Sequence, residues 1–270
     1  EEYDILNTNT AGFGVLINHA ISQGANNLIL CVGGSASVDG GIGALREMGL
    51  TIVNNSPNRN YITDIKGINT ELLQQKFKEI HITILCDVDN PICGPEGAAA
   101  VFAPQKGASP EQIIMLDNQL CLWSDLLKQN TGKDITQLKH GGAAGGITAA
   151  MYALLNAQLI SGSEYCLTLS RFHDNLLQAG VVITGEGKID LQSFYGKIPG
   201  TVANLCQKHN VPVYAVVGLA EKQVLTRFDK VFIMSQYTRS IQDSIKNAPH
   251  YLKIISQAIV DTLYLSAYSD

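Results

Sequence analysis

Positive charge is in short supply in this sequence. Its 270 residues hold 19 Lys and Arg against 24 Asp and Glu, a net charge of −5. No global field therefore draws nucleic acid or an anionic membrane surface, although a local basic pocket stays open. Charged residues make up 16% and apolar residues 46%, a globular composition with no mark of disorder. No apolar run approaches the ~18 residues of a membrane span, and no signal-peptide pattern opens the chain. A soluble, cytoplasmic protein is expected. Cysteines at CxxC spacing are missing too. The six stand at 31, 86, 93, 121, 166 and 206, and Cys31, Cys86 and Cys206 lie inside apolar runs. They read as buried free thiols of a reducing compartment. An initiator methionine is also lacking, and "EEYDILNTNTAGFG" begins mid-phrase, as a piece of a longer protein would.

Two nucleotide signatures fail. No GxGxxG follows a strand with an acidic residue some twenty positions later, which disfavours a nicotinamide-dependent dehydrogenase. "VVITGEGKIDLQSFYGKIPG", from Val181 to Gly200, superficially suggests GxxxxGK[ST]. Leu191 stands where its first glycine belongs, and Ile198 follows Lys197 in place of Ser or Thr.

What the chain does hold is a repeating strand-to-helix pattern. Phe13, Leu16, Ile17, Ala20 and Ile21 recur at helical spacing before Gly24. "NLILCV" (27–32) reads as a buried strand and "ALREMG" as a short helix. "TIVNNSPNRN" reads as a short strand and polar turn, 71–79 as an amphipathic helix and "IHITIL" (80–85) as a strand. Ser109, Pro110 and Gln112 spell a capping box that starts a helix running to about Asn130 and closed by Gly132. Residues 140–159 read as a glycine-rich loop feeding an alanine-rich helix, and 163–180 as one helix. Strand "VVIT" follows, then a helix from Pro199 to His209, strand "VPVYAVVG", a short helix near 222–227, strand "VFIMS" and a final helix over 251–267. Strands alternating with helices give an α/β fold with a mainly parallel sheet, whose ligand site lies beyond the carboxyl ends of strands.

Four polar or glycine-rich clusters punctuate this pattern. In "GGSASVDGGIG", Gly33 and Gly34 can turn backbone amides toward an anion, Ser35 and Ser37 add hydroxyls, and Asp39 can hold a cation or a sugar hydroxyl. A tight strand-to-helix turn is the rival reading. In "CDVDNPICGPEGAAAVFAPQKG", Asp87 and Asp89 would share a face of an extended segment and could hold Mg²⁺; otherwise they are solvated turn residues. Gln105 and Lys106 end that long loop. In "HGGAAGGITAA" the glycines admit a phosphate or allow close packing, with packing preferred, and His140 reads as a surface residue. The fourth cluster reads as a loop at a strand end bearing Glu186, Lys188, Asp190 and Lys197. Its lysines can offset charge on a phosphoryl group, and its carboxylates can orient a hydroxyl.

Together these stretches resemble the type-1 glycerate kinase family. The likeness rests on "GGSASVDGG", "CDVDNPICGPEGAAAVFAPQKGASPE", "GGAAGGITAA" and "VITGEGKIDLQSFYGKIPGTVA" before "VPVYAVVG". They run collinearly over most of the chain, against family patterns near GGSATNDGG, CDVDNPLxGxxGAAxVFGPQKGA, GAAGG and TGEGxxDxQTxxGKxP. The resemblance implies phosphoryl transfer from ATP to D-glycerate with Mg²⁺. It also implies two α/β domains, one Rossmann-like and built from both ends of the chain, with the site in the cleft between them. Residues 1–162 would form the inserted domain and 163–270 the C-terminal part of the Rossmann-like one. Carried over by motif, Asp190, Lys197 and Lys188 are the catalytic candidates. Gly33, Gly34, Ser35, Asp39, Lys106, Gly185, Glu186 and Gly187 would bind substrate or nucleotide, and Asp87 and Asp89 the metal. The expected partners are ATP and D-glycerate, with a homodimer admitted. Ser193 replaces the family's Thr, Val38 its Asn, and "LAEKQ" its small-residue turn. A preceding segment of roughly a hundred residues, the N-terminal part of the Rossmann-like domain with a strand and a PDSFKGS-like loop, is unmatched. The alternative is thus a truncated member that binds a nucleotide or small acid without turnover.

Overall fold

The computed structural model describes residues 4–54, 65–194 and 196–267. The chain divides into two compact units, Glu1–Gly162 and Ser163–Asp270. The first carries α1 (Ala11–Ser22), β1 (Asn27–Cys31), α2 (Ile42–Met48), β2 (Thr51–Asn54), β3 (Ile65–Asn69) and α3 (Glu71–Phe77). It continues through β4 (His81–Cys86), α4 (Ala98–Phe102), α5 (Pro110–Thr131), α6 (Ile147–Leu155) and β5 (Gln158–Ser161). Strands β1, β4 and β5 lie side by side in that order, all parallel. Leu28, Leu30, Ile82, Ile84 and Cys86 turn into the core. There they meet Ile42, Leu45 and Met48 of α2, Leu116, Leu120 and Trp123 of α5, and Met151 of α6.

Strand alternation leaves the opposite face of β1 open, so Asn27, Ile29 and Cys31 are exposed. Cys31 therefore departs from the expected buried thiol. Period 2 decides its side, whatever the hydrophobicity of its neighbours. All six cysteines are free.

Helix α5 starts as its sequence predicts. The Ser109 hydroxyl accepts from the Gln112 amide, the Gln112 side chain accepts from the Ser109 amide, and left-handed Gly132 closes the helix. Three elements differ from expectation. α6 stops at Asn156, whose φ of 55° is left-handed, and the next residues pair with β4 as β5. β2 has an antiparallel partner, β3, with Thr51 opposite Asn69; the polar turn at 56–60 lies outside the described residues. The single helix expected over 163–180 is two, α7 (Gly162–Leu169) and α8 (Phe172–Leu176), broken at Arg171 with φ 53°.

The second unit continues with β6 (Val182–Ile189), α9 (Ile198–His209), β7 (Val213–Ala220), β8 (Lys230–Ile233), α10 (Ile241–Lys246) and α11 (Ala248–Ala267). Its strands are parallel in the order β6, β7, β8. Central β7 is covered on both faces, as parallel sheets require. Val213, Ala215 and Val217 pack with Val202, Ala203 and Cys206 of α9. Tyr214 packs with Ile255 and Ile259 of α11. β6 runs well past Gly185, where the sequence pattern places its end. Glycine is a poor strand former, but pairing to β7 carries the ladder through Gly185 opposite Val216 as far as Ile189 opposite Ala220. Among the described residues, no helix is long and apolar enough to cross a membrane.

Replacing Ser109 with Ala removes the capping box. The expected loss is about 1 kcal/mol, read as a lower urea midpoint of Trp123 fluorescence, which reports the first unit because the chain has 1 Trp. An unchanged midpoint would show that α5 is held by packing alone.

Candidate active site

Strands β1 and β4 end at the same edge of the first sheet, and a cavity of about 220 Å³ opens there. Gly33, Gly34 and Ser35, which follow β1, line it together with Asp87, which follows β4. Gln105 and Lys106 complete its polar wall from a helical turn just after α4, because the expected long loop is interrupted by that helix, and Ala143 and Ala144 also line it. Five of the sequence candidates thus meet beyond the carboxyl ends of parallel strands.

Lys106 is the cation of this cavity and is only 7% exposed. Its Nζ donates to Ser35 Oγ at 2.8 Å and to the Ser37 carbonyl at 2.7 Å. Burial lowers its pKa to about 8, against an opposing pull from Asp39. The ammonium therefore stands poorly solvated beside the cavity, a state that a bound anion would relieve.

Asp39 is placed differently from the expectation that it binds substrate. It is fully buried and lines neither the cavity nor the surface. Oδ2 accepts from the Thr10 amide (2.9 Å), the Thr10 hydroxyl (2.8 Å) and the Gly43 amide (3.1 Å), and Oδ1 from the Gly41 amide (3.2 Å). Those contacts anchor the start of α2 from behind the loop. Burial pushes its pKa up, and these hydrogen bonds offset part of that shift. Thr10 went unnoticed in the sequence, since nothing local marks a partner 29 residues away.

The third cluster is a strut joining the first two. Left-handed Gly145 (φ 73°) accepts from the Gly40 amide at 2.9 Å, and a Cβ there would meet the Ser37 carbonyl at 2.3 Å. Gly142 donates to the Asn90 carbonyl, and its Cβ would meet the Pro91 carbonyl at 2.3 Å. Close packing explains these glycines, while the neighbouring alanines line the cavity. His140 is no surface residue: its side chain is 12% exposed. Nδ1 lies 2.7 Å from the Val88 carbonyl, which can only accept, so Nδ1 carries the proton.

Asp87 and Asp89 do not converge. Asp87 lines the cavity, whereas Asp89 faces Lys139 and His140, each at 3.3 Å. Among the described residues, no group of three or more His, Cys, Asp or Glu could hold a metal. The single carboxylate fits Mg²⁺ only in the mode where phosphates and waters supply the remaining ligands.

In the second unit, period 2 sets Glu186, Lys188 and Asp190 along one face of β6 and its end, so the cluster is an extended row and not a loop. Lys197, the N-cap of α9, reaches Glu186 at 3.1 Å. Buried Ser193 donates to Glu186 at 2.8 Å and accepts from the Asp190 amide. Lys188 bridges Asp190 at 3.2 Å and Glu221 at 3.1 Å. Lys188 holds the Asp190 carboxyl below the usual range. Asp190 Oδ1, shielded from solvent, accepts no hydrogen bond of normal geometry. Gly185 and Gly187 are strand residues; a Cβ on Gly185 would meet the Val216 carbonyl at 2.6 Å. Glu221 was not among the sequence candidates, although it directly follows β7, where the strand-end rule points.

Comparison with known proteins agrees with these motifs. The model of the Glycerate kinase family matches residues 1–264. The chain belongs to the glycerate kinase family. It is 37% identical to a glycerate kinase of Halalkalibacterium halodurans and 38% identical to glycerate 2-kinase of Escherichia coli, over 81% of the chain in both cases. It spans only 59% and 58% of the length of those relatives. The crystal structure of a Salmonella typhimurium LT2 protein designated glycerate kinase 2 superposes with a TM-score of 0.77 at 35% identity, covering 98% of this chain and 72% of that one. Of the departures from the family pattern, Ser193 keeps the hydroxyl that Glu186 needs, and Val38 is wholly buried in the core.

Two outcomes follow for the first unit of this family member. An anion bound in this cavity would meet the protonated Lys106, so its affinity should fall as pH rises through about 8. Titration with sulfate, whose charge stays constant over this range, should show up to about tenfold weaker binding per pH unit above that point. Lys106→Met should bind weakly at every pH, and an equally steep profile in that variant would assign the titration elsewhere. Asp39→Asn turns an NH₂ toward amides that need an acceptor, at a cost of about 1–3 kcal/mol. Thermal unfolding followed at Trp123 should register it, because the Trp123 indole donates to the Gly40 carbonyl beside that loop.

Proposed function

We propose that the chain serves the phosphorylation of D-glycerate by ATP. The carrying observation is the cavity at the ends of β1 and β4, where the glycine turn, Asp87 and buried Lys106 meet. An anionic group placed there gains the Lys106 ammonium and the backbone amides of residues 33–35. The names of relatives at 37% and 38% identity support glycerate as acceptor.

Roles divide by chemistry. Lys106 and the glycine turn receive ATP phosphates. Asp87 would hold Mg²⁺ shared with them, an ion that offsets charge on the phosphates. The row on β6 serves the acceptor and the transferring group. The glycerate hydroxyl oxygen bonds to the γ-phosphorus as the bond to the ADP oxygen breaks. Asp190 orients the hydroxyl and relays its proton to water. A carboxyl held below the usual range suits relaying better than retaining a proton. Lys197 and Lys188 balance the charge of the phosphoryl oxygens. Positioning and charge stabilisation account for most of such a reaction.

The competing reading is a nucleotide- or small-acid-binding member of the same family without turnover. A coupled ADP-release assay separates the two: turnover by the 270-residue chain excludes binding alone. In whichever form turns over, Asp190→Asn should lower kcat by about 100-fold with little change in the KM for ATP. Near-normal turnover in that variant would remove Asp190 from the reaction.

A further inference from the structure

A second cavity, about 270 Å³ in volume, lies against the same glycine turn. Val32, Gly33, Ser35 and Ala144 line both cavities, so the two meet across that turn. Their characters are opposite. The first holds Lys106 and Asp87; the second has no charged side chain among the described residues of its wall. Phe13 and Gly12 of α1, Ile147 of α6 and exposed Cys31 give it its apolar part, and Asn9 stands with Thr8, Thr10, Ser35 and Ser37 in its uncharged polar part. Asn9 Oδ1 accepts from the Ala11 amide at 2.9 Å, so its NH₂ is the end that can donate to a ring nitrogen.

From this geometry we infer that the second cavity takes the adenosine portion of the nucleotide whose phosphates enter the first. The inference rests on the kinase reading above and extends it to the part of the substrate that carries no charge. A purine is flat, largely apolar and bears ring-nitrogen acceptors, which matches an aromatic wall and one amide donor. Glycerate does not match. It is small and anionic, and a wall without a cation would strip its carboxylate of water uncompensated. The shared turn explains the division: one short glycine-rich segment can present amides to phosphates on one side and leave an apolar slot on the other.

Cys31 makes the inference testable without turnover. It lines the second cavity and is exposed, while Cys166, exposed in the second unit, serves as an internal control. The 270-residue chain is treated with iodoacetamide, and alkylation at both positions is followed by peptide mass spectrometry with ADP, with inorganic tripolyphosphate or with neither. ADP should slow alkylation of Cys31 several-fold and leave Cys166 unchanged; tripolyphosphate should leave both unchanged. Phe13→Ala should weaken ADP binding about tenfold, the scale of one lost base–aromatic contact, with tripolyphosphate affinity unaltered. Gly12→Leu guards against a folding artefact, because a Cβ on Gly12 meets nothing within 4 Å. It should fill the slot, weaken ADP binding and leave tripolyphosphate binding intact. Bound ADP with Cys31 still fully reactive, or with Gly12→Leu binding normally, overturns the inference and leaves the kinase reading standing. Protection of Cys31 by tripolyphosphate overturns it as well. No ADP binding at all overturns both.

Discussion

The first unit turns on one buried ammonium. Lys106 Nζ ties Ser35 and Ser37 together from a site almost closed to water. A buried cation is costly unless partners replace its hydration. Here one hydroxyl and one carbonyl replace only part of it, and burial accordingly lowers the Lys106 pKa to about 8. Asp39, a buried anion on the far side of the turn, cannot cancel that shortfall by contact, because its own oxygens are occupied by Thr10, Gly41 and Gly43. The turn is thus clamped between two buried charges, each held by polar atoms of the loop. A rigid turn with an under-solvated cation is preorganised for an anion, which gains charge stabilisation without first ordering the site.

The second unit handles charge in the opposite manner. Its lysines and carboxylates alternate along β6 with substantial exposure, and each cation touches one or two anions. Pairs of this kind contribute little to stability in water. What they do is fix orientation. Ser193, wholly buried, links Glu186 to the Asp190 backbone, and Lys188 occupies one oxygen of Asp190 while leaving the other. Such a row can exchange an internal partner for a substrate group at small cost, whereas Lys106 is held in place by burial and two hydrogen bonds.

Much of this was legible in the sequence, because the strongest signals were local. The capping box of α5, the strand-ending glycine turns and the motif blocks all lie within a few residues of one another. What escaped depended on pairing between distant segments. β5 hid in an apparently continuous helical pattern until its register with β4 gave it a partner. Gly185 and Gly187 read as the end of β6 because their local preference opposes a strand, and only β7 overrides it. Asp39 looked like a ligand because glycines surrounded it; its real partner, Thr10, is held by the tertiary fold. His140 read as surface for the same reason, since the Val88 carbonyl that captures it lies 52 residues away.

The glycine cluster at 141–146 shows how close packing, the preferred reading of that motif, still shapes a site. Gly142 and Gly145 stand beside the cavity, yet backbone carbonyls of Pro91 and Ser37 fill the space their side chains would need. Their smallness draws three loops together, and it is the alanines between and beside them, Ala143 and Ala144, that face the opening. Lengthening any one of these side chains would therefore act on the site through the turn that Lys106 holds. The chemistry of the cavity and the packing behind it are one constraint, and this ties residues as far apart in the chain as Thr10, Lys106 and Gly145 to the same short turn.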